Sequence, residues 1–316
     1  FTVEYTTDGQ SVNIVYSGAT NGWIPIEDDT VTNAPVKLNT EGIFGFGKTG
    51  SFLGMTNLVS NAGVVATDVT AVGTARSEAA ACEYGGDKGI FGFGNPITAV
   101  TNLVSNAGVV ASDVTGVGTA RYSLAACGYG GDKGIFGYGG APSNLINLVS
   151  NAGVVATDTT GVATARWALA ACEYGYDKGI FGYGAIATYS SLTNLVSNTG
   201  VIASDTTGVG TARSYIMACS YGEDKGIFGF GYTGSYVGMT NLVSNTGVVA
   251  TDVTAVGTVR RYGAACEYGE DKGIFGYGNT GSVSSLTNLV SNAGVVASDV
   301  TGVGTARKGP AACSFN

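Results

Sequence analysis

Apolar runs of about four to six residues recur along the chain, each broken by Gly, Asn or Asp, and no stretch carries a useful helical period. Val, Ile, Phe and Tyr dominate these runs, which suits short strands. In one unit the pattern predicts four of them. The first carries Ala125, Ala126, Cys127 and Tyr129, and the tight turn Gly130-Gly131-Asp132-Lys133-Gly134 follows. The second runs from Ile135 to Tyr138 and the third from Asn147 to Ser150. After the turn Asn151-Ala152-Gly153, the fourth runs from Val154 to Asp158.

This unit occurs six times. GIFGFG or GIFGYG appears with its Ile at Ile43, Ile90, Ile135, Ile180, Ile227 and Ile274, so units start near 42, 89, 134, 179, 226 and 273. Six four-stranded antiparallel units predict an all-β six-bladed β-propeller, in which radial repetition protects strand edges. The repeats open at Gly42-Ile43, a second strand, and stop at Ala311 to Phe315, a first strand. Closure of the ring by the C-terminal strand is therefore expected, over residues 41–316. Residues 1–40 are expected to be a short β-rich segment. Val12, Ile14 and Tyr16 alternate in it, and its strands end at Trp23-Ile24-Pro25-Ile26. Forty residues are marginal alone, so this segment should dock or assemble with other copies. The chain opens at Phe1 and is expected to be a fragment, a processed product or the ordered part of something longer.

Length changes between copies fall only in the loop between the second and third strands; sequence varies there and again just after each repeat Arg, while the two hairpin turns barely vary. In a four-stranded blade the two variable connections emerge on one face, where a rigid scaffold presents recognition loops. That face is expected to carry Phe52, Glu78, Tyr122, Trp167, Tyr189, Tyr215, Tyr232, Tyr236, Arg261 and Tyr262 as a ligand-binding set. Flat aromatic faces with few charges suit sugar rings or a protein partner. The competing account is that Gly-rich loops pack their aromatics against one another.

Composition narrows the chemistry. The 316 residues hold 52 Gly but only 5 Pro, which excludes collagen, and a net charge of −8 argues against a nucleic-acid partner. No apolar run is long enough to span a bilayer as a helix. Histidine is absent, which removes Ser-His-Asp and Cys-His sites and His-ligated metals. The six cysteines recur once per unit without close pairs, so buried thiols between blades are expected rather than a metal or disulfide ring. One Arg and one Asp recur per unit (Arg76 and Asp113 among them) and are expected to satisfy buried backbone or pair between blades. No cofactor is expected.

Two resemblances can be attached to these residues. The order R-x-x-x-A-A-C, GIFGYG, then an NLVSN strand is similar to kelch-type propeller blades, without the usual paired Gly and Trp. The near-identical Gly-rich repeats, and the opening VEYTTDGQSVNIVYSGATNGWIPIEDD, resemble structural modules of tailed-phage virions, cyanophage type particularly. The resemblance implies a non-enzymatic tail-fibre or capsid-fibre component on the virion surface. Its N-terminal segment would join other fibre proteins, its variable face would bind host surface glycan or protein, and it would be homo-oligomeric in the particle. One alternative is a purely structural shell or filament subunit. Another is a glycan-cleaving enzyme, disfavoured because Glu78 is the lone acid of the variable loops and cleavage ordinarily wants two carboxyls.

Overall fold

The computed structural model describes residues 13–16, 23–26, 40–70, 73–254 and 256–316, and among them there is no helix. The chain divides into two units, Phe1–Val36 and Lys37–Asn316. In the first, strands Asn13–Tyr16 and Trp23–Ile26 pair antiparallel, with Asn13 opposite Ile26. Val12 and the segment's expected assembly contacts lie outside the described residues.

The second unit is all-β, built of six antiparallel sheets. Sheet 1 joins the two ends of the repeat region: Ala311–Phe315 pairs with Glu41–Gly45, which pairs with Thr56–Val59. Sheet 2 is Ala80–Tyr84, Lys88–Gly94 and Thr98–Val104; sheet 3 begins Ala125–Tyr129, Lys133–Gly137 and Leu145–Val149. Sheet 4 is Ala170–Tyr174, Lys178–Gly182 and Thr193–Val196. Sheet 5 is Met217–Tyr221, Lys225–Tyr232 and Tyr236–Val243; sheet 6 is Ala264–Tyr268, Lys272–Asn279 and Val283–Val290. First strands touch in order from sheet 1 to sheet 6, and the first strand of sheet 6 touches that of sheet 1.

The expected fourth strand requires correction. Only sheet 3 has one, the two residues Thr159–Thr160; elsewhere isolated bridges such as Val59 to Val65 and Thr56 to Val69 stand in its place. The cause is the asparagine of NLVSN. Asn57 Nδ2 donates to the Ala66 carbonyl and to Asp68 at 2.9 Å each, so a side chain takes over where the ladder should run and the register slips by one residue.

Cores lie between neighbouring sheets. One gathers Ile43, Phe46, Phe91, Val104, Cys313 and Phe315 from sheets 1 and 2, and five equivalents follow. Each junction holds one edge-to-face aromatic pair, from Phe46–Phe91 at 5.2 Å round to Phe44–Tyr277 at 5.1 Å. Such a pair adds about 0.5–1.5 kcal/mol beyond its burial. The Gly-rich wording of GIFG follows from this packing. A Cβ at Gly45 would lie 2.7 Å from the Phe91 ring, and one at Gly89 would lie 2.5 Å from Cys313 Sγ. The expectation of buried thiols between sheets is met: all six cysteines are buried.

Candidate functional site

The residues that hold the variable loops are constant. In sheet 2 the Arg76 guanidinium is fully buried, stacks 3.9 Å from the Phe46 ring centre of sheet 1, and donates to Asn102 Oδ1 at 2.6 Å. Asn102 in turn donates to Asp113, and Asp113 accepts from the Thr74 backbone and hydroxyl. Five equivalents repeat this, ending with Arg307 over Tyr277, bonded to Asn57, with Asp68 holding Thr305. Arg and Asp are thus used locally, as expected. The asparagine between them was missed, although its presence in every NLVSN was a visible signal.

These groups stay charged at neutral pH. Burial draws Arg76, Arg121 and Arg260 down to about 10, with the neighbouring aspartates pulling the other way. Burial alone would raise the aspartates. Hydrogen bonds from Thr and Asn, with the arginine charge, outweigh it and hold Asp68, Asp113, Asp158, Asp205, Asp252 and Asp299 below the usual carboxylate range.

Two residues beyond each arginine, the main chain closes a circle. Glu78 N–H donates to Gly309, Gly309 to Tyr262, Tyr262 to Tyr215, Tyr215 to Ala168, Ala168 to Ser123, and Ser123 back to Glu78, at 2.7–3.2 Å. All six residues sit at positive φ, between 53° and 63°. Nothing in the sequence announced this, because five of the six are not glycine and a left-handed backbone is uncommon for them. The circle is built of backbone alone, so its side chains (Glu, Ser, Ala, Tyr, Tyr and Gly) are free to differ.

They surround a cavity of about 70 Å³, lined also by Leu124, Leu169, Ile216, Gly263 and Pro310. A water needs only about 10–15 Å³ of such space, so the cavity accepts a substituent of several atoms. The Glu78 carboxylate accepts from Ser123 Oγ at 2.5 Å and lies 3.7 Å from Lys48 Nζ.

Seven of the ten expected residues form one cluster spanning sheets 4 to 6. Trp167 meets Tyr215 edge-on at 5.4 Å, and Tyr215 stacks on Tyr262 at 3.8 Å. Tyr189 meets Tyr232 at 6.0 Å, and Tyr232 meets Tyr236 at 5.8 Å. Arg261 lies over Tyr232 at 3.9 Å, with Tyr236, Tyr215 and Tyr262 at 5.3–5.4 Å. Burial pushes Tyr215 and Tyr262 above the normal phenol range, aided at Tyr262 by its hydrogen bond with Tyr215 and the Glu78 charge. Glu78 joins Tyr215 and Tyr262 at the cavity. Tyr122 packs beside Gly140, where a Cβ would lie 2.8 Å from its ring. Phe52 is exposed under Lys48, 5.7 Å away. The structure gives neither Phe52 nor Tyr122 a ring contact with the cluster among the described residues.

A second cavity, of about 50 Å³, is lined by the first strands of all six sheets and was not foreseen. Glu83, Glu173 and Glu267 line it, alternating with Gly128, Ser220 and Ser314. At Gly128 the small residue is a steric need, because a Cβ there would lie 1.8 Å from Glu173 Oε1; Ser220 Oγ and Ser314 Oγ accept from the Glu173 and Glu267 backbone N–H. Among the described residues, no three or more His, Cys, Asp or Glu are arranged to hold a metal ion.

Compared with known proteins, the sequence matches no family model, and no curated protein matches it either.

Proposed function

We propose that the six repeats form a six-bladed β-propeller whose variable face recognises glycan or protein on a host surface, as a non-enzymatic module of a viral particle. Support for the ring comes from Ala311–Phe315 in the sheet of Glu41–Gly45 and from the closed circle of main-chain hydrogen bonds. One observation carries the recognition reading. The side chains that differ between copies converge on one backbone circle, while the residues supporting them repeat sixfold. Stacking on Trp167, Tyr215 and Tyr262 supplies affinity, and several modules on one particle multiply it. The kelch and tailed-phage wording supports the fibre assignment, with residues 1–40 joining the rest of the particle and copies associating there. Labelled protein applied to host cells and to a glycan array tests the reading. Retention that falls with Trp167→Ala or Tyr215→Ala is expected; no retention by either surface overturns it.

A second reading, a self-assembling shell subunit, is favoured by the constant turns. Val64, Val109, Val154, Val201, Val248 and Val295 are each 63–66% exposed. Light scattering of the purified protein separates the two, because a shell subunit forms large regular assemblies without any host component.

A further inference from the structure

Of the described cations, six arginines are buried in Arg–Asn–Asp groups and five turn lysines contact the adjacent aspartate. The three that remain, Lys48, Arg261 and Lys308, all belong to the variable loops, which hold a single carboxylate, Glu78. The rest of this chain of net charge −8 is acidic, so the loops carry a local positive excess. Arg261 and Lys308 occupy the same place in adjacent repeats, directly after the repeat arginine.

Arg261 is the one described arginine outside the Arg–Asn–Asp groups, although it shares an unpartnered buried Nε with Arg76, Arg166, Arg260 and Arg307. Its guanidinium rests among four tyrosine rings, its Nε is buried without a hydrogen-bond partner, and it forms no ion pair among the described residues. The one loop carboxylate, Glu78, is already engaged by Ser123 and Lys48. Rings fix the plane of the guanidinium, which leaves a preorganised fork for a planar anion. Tyr236, on one wall, is itself held by a 2.8 Å hydrogen bond to Asn279 Oδ1.

We infer that Arg261 recognises the carboxylate of an acidic sugar whose ring stacks on the adjoining Tyr215–Tyr262 surface. A carboxylate satisfies the fork, the flat apolar face of a pyranose suits the tyrosines, and the positive loops favour an anion over a neutral sugar on an otherwise acidic molecule. This inference rests on the recognition reading above and names its ligand class.

The test presents the full chain to paired oligosaccharides: uronate- and sialate-bearing glycans, the same glycans with the carboxylate methyl-esterified, and an acidic peptide as a third arm. Preference for the free acids is expected, weakening with added salt. Arg261→Gln should lower affinity for them by roughly tenfold or more while leaving the esters unchanged, since a charge-assisted bidentate contact is lost. Arg261→Lys should restore part of it. Unfolding midpoints of both variants, matching the parent, separate recognition from folding. Equal retention of acids and esters overturns this inference and leaves glycan recognition standing. Retention of the acidic peptide in preference to every sugar overturns it in favour of a protein partner. Retention of no sugar and no peptide overturns this inference, and retention of host cells under the same conditions separates that outcome from failure of the recognition reading.

Discussion

The Glu78 backbone N–H donates to the Gly309 carbonyl at 2.8 Å, joining the segment that enters sheet 2 to the one that enters the final strand. Phe315, the last residue of the strand Ala311–Phe315, is fully buried in the core between sheets 1 and 2. The C-terminal strand is therefore part of the first sheet's core rather than a tail.

Phe315→Ala should lower stability by about 3–5 kcal/mol, the usual cost of truncating a buried aromatic. Urea unfolding followed by tryptophan fluorescence checks this. A change below about 1 kcal/mol would place the strand outside the core.

Asn102→Ala should cost about 2–3 kcal/mol, because it strands a buried arginine and the Ala111 carbonyl together. Asn106, exposed and bonded to Asp87 at 3.2 Å, is the control, and Asn106→Ala should stay within about 0.5 kcal/mol of the parent. Equal effects at the two sites would deny the Arg–Asn–Asp group its structural part.

Gly89→Ala should destabilise by about 1–3 kcal/mol, since the added Cβ meets Cys313 Sγ at 2.5 Å while its other neighbours stand at 3.5–3.6 Å. Cys313→Ala in the same chain removes the obstacle and should recover much of the loss. Strict additivity in the double-mutant cycle counts against this contact.

Acid should unfold the repeats through their aspartates. Their folded pKa values lie below the ordinary 3.8, so the stability they supply is complete above that value and drains as pH falls through the folded ones. The urea midpoint should hold roughly level from about pH 7 to 5 and drop below about pH 4. A midpoint that rises on acidification contradicts the hydrogen-bond assignments.

Burial pushes the thiols of Cys82, Cys127, Cys219, Cys266 and Cys313 far above their normal range, aided by the Glu83, Glu173 and Glu267 carboxylates. A thiol reagent at pH 8 should find almost nothing to label in the native protein and six groups in urea. Rapid native labelling would show the inter-sheet packing to be open.

The strands and their order were legible because each repeat spells them in β-branched and aromatic runs ended by Asp-Lys-Gly turns or by Asn-Ala-Gly and Asn-Thr-Gly turns. Pairing of Ala311–Phe315 with Glu41–Gly45 was legible from where the repeats begin and end. The fourth strand was misread because Val154 to Asp158 looks extended on local pattern. Its interruption comes from a side chain in another strand, Asn147, which donates to Ala156 and Asp158. Trp167, Tyr215 and Tyr262 were identifiable as variable aromatics. Their stacking order depends on the left-handed backbone at Ala168, Tyr215 and Tyr262, which such residue types do not advertise. The glutamate alternation was missed because AACEY, AACGY and MACSY read as trivial drift until the six first strands are seen to line one cavity.

The circle through Glu78, Ser123, Ala168, Tyr215, Tyr262 and Gly309 is closed by main-chain bonds, so it selects among side chains through its left-handed backbone, which β-branched residues and proline do not suit. A residue there can be exchanged for another that tolerates positive φ and keeps its N–H without losing the bond that holds it in place. The molecule thus separates what must be inherited unchanged from what is open to trial, and a library randomised at these six positions should yield folded proteins with new partners far more often than one randomised in any strand.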